Sequence, residues 1–132
     1  MIAPLLLLLL AQAAPAMVVV DEKDTVRREP VPHGAIGMST AWRITDAVPG
    51  RNFEFRRRTL DQGAAIGPHP LGHDEVYYVI SGEGEVTSDG VTRRLGPGMT
   101  AYLFERATVG IRQVGDAPLA LIVAYPLKAR VK

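Results

Sequence analysis

From residue 52 onward, apolar and polar positions alternate in short runs, each closed by turn residues, with no helical period between them. Residues 52–60 alternate around Phe53 and Phe55, and Gly63 and Gly67-Pro68 punctuate the segment that follows. Residues 75–80 are rich in β-branched and aromatic side chains and stop at Ser81-Gly82. Residues 85–87 run into Asp89-Gly90, a strong hairpin dipeptide, and residues 91–95 then meet Gly96-Pro97-Gly98. Runs at 100–104, 109–114 and 119–125 complete the series, with Gly115-Asp116 between the last two. Strands at this spacing predict an all-β sandwich or barrel, and the lack of long helices argues against Rossmann, TIM-barrel and bundle folds. Before this region, residues 41–44 read as a short strand whose Trp42 covers the barrel. Residues 21–32 are charged, without period, and hold Pro30 and Pro32, which reads as an extended arm or linker.

The first 20 residues carry no charged side chain, and Leu5 to Leu10 form an unbroken apolar run followed by Ala14 and Ala16 at A-x-A spacing. That run is too short to span a bilayer, for which about 20 apolar residues are needed. It reads as a cleaved signal peptide over residues 1–16, giving an exported protein, periplasmic or secreted, with no membrane contact after cleavage. The alternative is translation from Met17, which gives a cytoplasmic protein. The organisation expected is thus a leader at 1–16, an N-terminal arm at 17–45, a barrel at 46–126 and a tail at 127–132.

Composition narrows the functional classes. Fifteen basic residues nearly balance 14 acidic ones in a chain of 132, so no electrostatic field favours nucleic acid. The absence of cysteine excludes disulfides, thiolate metal sites and a cysteine nucleophile. Arg56, Arg57 and Arg58 form a basic run that reads as a solvated sheet face. No phosphate loop, serine elbow or zinc-protease helix is present.

The chemistry concentrates in residues 63–82, GAAIGPHPLGHDEVYYVISG. Gly63, His69, Glu75 and Gly82 stand at the spacings of the motif G-x5-H-x-H-x3-E-x6-G, with Leu71 in the second histidine position. Gly90, Pro97 and Gly98 match the opening of a second motif with one extra residue; Val109 falls in its histidine position and Gln113 in its asparagine position. On these residues the chain resembles the cupin superfamily in its small single-domain form. The resemblance implies a jelly-roll β-barrel of two antiparallel sheets, often dimeric, with a pocket between the sheets. It also implies, in many members, iron, manganese, nickel or zinc held by three histidines and the glutamate. Of that set only His69 and Glu75 carry over.

Alternation from Glu75 places Tyr77 and Val79 on the inner face and Tyr78 and Ile80 on the outer one. His69, Glu75, Tyr77 and Gln113 are the expected ligand-binding residues. Leu71, Val79, Val109 and Ile111 are expected to pack the apolar part of a small molecule. His73 lies two residues before Glu75, so His69, His73 and Glu75 form a candidate two-histidine, one-carboxylate metal set. His33, in the proline-flanked arm, and Arg112 read as surface residues, and Tyr102 is a weaker pocket candidate. The reading adopted is an exported small-molecule-binding barrel with a degenerate metal site; the alternatives are a metal-dependent dioxygenase, isomerase or lyase using His69, His73 and Glu75, and an inert barrel serving as a homodimer or partner module.

Overall fold

The computed structural model describes residues 15–34 and 36–127; the leader read at 1–16 and the tail at 127–132 lie almost wholly outside the described residues. Ten strands follow a single 3₁₀ turn at Glu22–Asp24, whose N-terminus is capped by the Asp21 carboxylate. They are β1 (Val26–Pro30), β2 (Met38–Trp42), β3 (Phe53–Leu60), β4 (Ala65–Pro70), β5 (Glu75–Ser81), β6 (Glu83–Ser88), β7 (Val91–Leu95), β8 (Thr100–Leu103), β9 (Thr108–Val114) and β10 (Leu119–Pro126). Two antiparallel sheets face each other, one in the order β1-β2-β3-β10-β5-β8 and the other β4-β9-β6-β7. The all-β, two-sheet barrel expected from the alternating runs is what forms.

Leu60, Tyr77, Val79, Val109, Ile111, Leu119 and Leu121 fill the space between the sheets and are all but inaccessible to solvent. They come from strands of both sheets, as two inner faces interdigitating require. Turn chemistry sets the corners. Asp89 and Gly90 both take positive φ in the β6–β7 hairpin. At Gly82, between β5 and β6, φ is +76° and a Cβ would overlap the Pro118 carbonyl oxygen, so only glycine fits.

Two features depart from the alternation as read. The charged arm supplies β1 and β2, which extend the larger sheet past β3. Its charges are matched across strands: Arg28 with Asp61, Glu29 with Arg43 and Arg58, and Glu22 with Arg57. An edge ribbon held by such pairs needs no apolar period, and Val31 just beyond it enters the core. The second departure lies in β3. Phe53 and Phe55 face solvent, while Glu54 and Arg58 are buried on the barrel side and Arg56 lies between them. The basic run is therefore split rather than solvated. Arg57 alone of the three points outward, with its guanidinium 4.2 Å from the centre of the Trp42 ring.

Candidate functional site

Register along the larger sheet explains which side chains meet. Arg56, Val123 and Tyr77 are cross-strand partners on β3, β10 and β5, and Arg58, Leu121 and Val79 form the next row. Glu54 pairs with Tyr125. Directly opposed residues share a face, so the inner end of this sheet carries two arginines, a glutamate and two tyrosines. From the smaller sheet, β4 contributes His69. A bulge between Ile66 and His69 sets His69 opposite the fully buried Val109, which turns the imidazole inward.

These walls enclose a cavity of about 360 Å³. Charged groups, those of Arg43, Arg56, Arg58, Glu29 and Glu75, line it together with His33, His69, Ile66, Tyr77, Val123 and Tyr125. A hollow of about 410 Å³ along β4, β6 and β9 has only Glu85 and Arg112 as charged lining, and these pair with each other on the surface. The charged cavity is therefore the chemical candidate.

Glu75 is 6% exposed, and its Oε2 has no hydrogen-bond partner among the described residues. Burial pushes its carboxyl above the usual value, only partly offset by the Tyr77 hydroxyl and by the charges of His73, His69 and Arg56. Burial, with the neighbouring Glu75 carboxylate, likewise holds the Tyr77 phenol well above its usual range. The His69 Nδ1 lies 2.9 Å from the Gly67 carbonyl oxygen. A carbonyl only accepts, so the proton sits on Nδ1 and Nε2 is left for an incoming group. The His69 ring stacks on His33 with centroids 3.7 Å apart. Burial lowers the pKa of His33, and the nearby His69 and Arg58 lower it further. A hydrogen-bond acceptor on one wall and, on another, a carboxyl whose ionisation burial opposes can bind a polar molecule or move a proton on it.

The arginines are anchored. Arg58 donates from Nη1 to Ser39 Oγ at 2.7 Å and from Nη2 to Glu29 Oε1 at 2.9 Å. Arg43 donates to both Glu29 oxygens at 3.0 Å. Burial alone would raise the Glu29 carboxyl, but hydrogen bonds from Arg43 and Arg58 outweigh it and hold the pKa below its usual value. Glu54 is held by Arg51 at 2.6 Å and by Arg56 at 2.9 Å.

The structure brings His69, Glu75 and Tyr77 together in this cavity and leaves the other expected residues elsewhere. Gln113 is buried but committed to backbone: its Oε1 accepts from the Gly63 amide at 2.7 Å, and its Nε2 donates to the carbonyls of Val114, Gly115 and Ala117 at 2.8–3.0 Å. It ties the β3–β4 and β9–β10 turns together at one end of the barrel. Leu71, Val79, Val109 and Ile111 belong to the core and do not line the cavity, whose wall the inverted phase of β3 makes polar. Tyr102 is on the outer surface, donating to Asp74 at 2.6 Å.

His73 stacks flat on Tyr125 at 4.1 Å and donates from Nδ1 to the Asp74 carbonyl at 3.1 Å, outside the cavity lining. Among the described residues no three histidine, aspartate or glutamate side chains come together in a set that could hold a metal ion. With Leu71 and Val109 packed into the core where further donors are expected, the residues present do not fit the metal implied by the resemblance.

His33, Glu29, Arg43, Arg56 and Arg58 were not among the expected site residues. The period-two series Glu54, Arg56, Arg58 was a usable signal for β3, opposite in phase to Phe53 and Phe55. Nothing local to His33 indicated that β1 and β2 fold back to bring it against His69.

The Cupin domain family profile matches residues 56–125, more than half of the chain. No curated protein matches it. Among solved structures, a predicted oxalate decarboxylase from Thermotoga maritima superposes with a TM-score of 0.74 at 23% identity, covering 84% of this chain and all of that one. The polyketide cyclase RemF from Streptomyces resistomycificus gives 0.71 at 22% identity, covering 83% and 79%. An RmlC-like cupin from Shewanella frigidimarina gives 0.67 at 20%, covering 86% and 94%. Such likeness carries the fold and no activity. Strand order, barrel and family profile agree, and the chain belongs to the cupin family.

Proposed function

We propose that this cupin binds a small polar molecule in the cavity between its sheets, with Glu75 and His69 as the polar anchor and no metal in that role. The observation that carries the reading is the Glu75 Oε2, buried and without a partner beside a cavity large enough for a ligand. A buried polar atom left unsatisfied costs about 1–3 kcal/mol, which a hydrogen-bonding ligand recovers on binding. Ile66, Val123, Tyr77 and Tyr125 supply apolar and aromatic surface for the remainder of the molecule. The apolar leader read at residues 1–16 supports an exported protein, so the ligand is one met outside the cytoplasm.

A thermal-shift screen of small molecules, followed by calorimetry, tests the reading. Glu75→Ala and His69→Ala are each expected to weaken binding at least tenfold while circular dichroism keeps its strand signature. Unaltered affinity in both variants would sink it.

A further inference from the structure

Three guanidiniums, those of Arg43, Arg56 and Arg58, line the cavity, and that of Arg51 adjoins them through Glu54. Glu29 takes Arg43 and Arg58, and Glu54 takes Arg51 and Arg56. Asp46, a third exposed, adds longer contacts of 3.4–4.0 Å to Arg51, Arg43 and Arg56 at the rim. That leaves four cations against three carboxylates, with Glu75 the remaining acid nearby. No guanidinium reaches the Glu75 Oε2, and burial opposes its ionisation. With Glu75 counted the charges are nearly even, so discrimination among ligands rests on the donors these pairs leave over.

Arg56 has a donor to spare. Its Nε donates to Glu54 at 3.1 Å and its Nη2 pairs with the same oxygen at 2.9 Å, while Nη1 has no partner among the described residues. Arg56 lines the cavity in the same cross-strand row as Val123 and Tyr77, and its side chain is 16% exposed. A partly desolvated guanidinium with a free N–H favours a planar oxyanion, and a carboxylate matches its geometry better than a point acceptor does. The smaller sheet opposite offers an acceptor at His69 Nε2, and β5, in the same sheet as Arg56, offers the carboxyl oxygen of Glu75 that has no partner among the described residues.

Building on the reading of a small-molecule cavity, we infer that the ligand is a small organic carboxylate bearing a hydroxyl or other hydrogen-bonding group, its carboxylate on Arg56 and its second polar group on Glu75 and His69. Tyr125 and Ile66 hold the carbon skeleton between these two ends.

The experiment is calorimetry on the whole chain with matched pairs of probes: benzoate against benzamide, malate against malamide, galacturonate against its methyl ester. For at least one pair the acid should bind at least tenfold more tightly than its neutral partner. Arg56→Gln should abolish that preference by weakening the acid at least tenfold more than its neutral partner; Glu54 keeps Arg51 in this variant, so the strand is not left with a buried unpaired charge. If neutral partners bind as well as acids in the wild type, the carboxylate assignment is overturned while the cavity reading stands. If Arg56→Gln retains the full preference, the assignment to Arg56 is overturned. No saturable heat from either member of any pair would overturn both readings. The wild-type comparison decides the charge question even if the variant fails to fold.

Discussion

Glu75 and His33 respond to burial with opposite signs. Burial raises the folded-state pKa of Glu75 above its usual 4.5. Its contribution therefore favours the folded state fully below about pH 4.5 and is lost as pH rises through the raised value. Above the raised value the carboxylate is a cost, which a ligand bound as proposed would offset. Glu75→Gln is accordingly expected to be more stable than wild type at pH 7, by on the order of 1 kcal/mol. The gain should vanish at pH 4, and urea melts at the two values check it. For His33 the folded pKa lies below the usual 6.5, so its contribution is present above that value and lost as pH falls through the lowered one. Residue positions in β5 were legible because period two fixes Glu75, Tyr77 and Val79 inward once a single phase is known. Gln113 and His73 were not. Both lie near the site in sequence terms, yet local backbone acceptors claim their side chains, and such hydrogen bonds leave no periodic trace.

At the scale of elements, β3 shows why hydrophobic alternation locates a strand without orienting it. Phe53 and Phe55 look like the buried phase, but the buried phase is Glu54, Arg56 and Arg58, because β1 and β2 bring the Glu29 carboxylate and the Ser39 hydroxyl to Arg58 while Glu54 holds Arg56. Half of those partners come from residues read as a linker, so the match was invisible until the ribbon was placed. The hairpin at Asp89-Gly90 was legible for the converse reason: its chemistry is entirely local. The loop that follows β1 depends on β4 in a testable way. A Cβ at Gly67 would overlap the His33 carbonyl oxygen. Gly67→Ala should push the 32–34 loop outward, separate His33 from His69 and cost about 1–3 kcal/mol, the usual penalty for overpacking. Loss of the mutual ring-current shifts of the two imidazoles in NMR spectra, together with a lower melting temperature, is the expected outcome.

For the whole molecule, the outer face of the larger sheet remains to be accounted for. Phe55, Ala124, Val76 and Tyr102 run across it in register, and Phe53, Tyr78, Ile80 and Phe104 lie exposed on the same strands or beside them. A contiguous apolar surface of this kind suits an isologous pairing with a second copy. Sedimentation is expected to give twice the chain mass, and Phe55→Glu to give the single mass with the barrel intact. A single mass for the wild type would end the expectation. The N-terminal ribbon has a further effect on the cavity. β1 is hydrogen-bonded on one side only, to β2, whereas β10 lies between two strands near the centre of the sheet. The wall that carries Glu29 and His33 thus belongs to the part of the fold that opens at the lowest free energy. Peeling of this ribbon would widen the mouth while withdrawing Val31 from the core and Glu29 and Ser39 from Arg58, so the residence time of a molecule in the proposed site would be set by how often the sheet edge breathes as well as by its contacts.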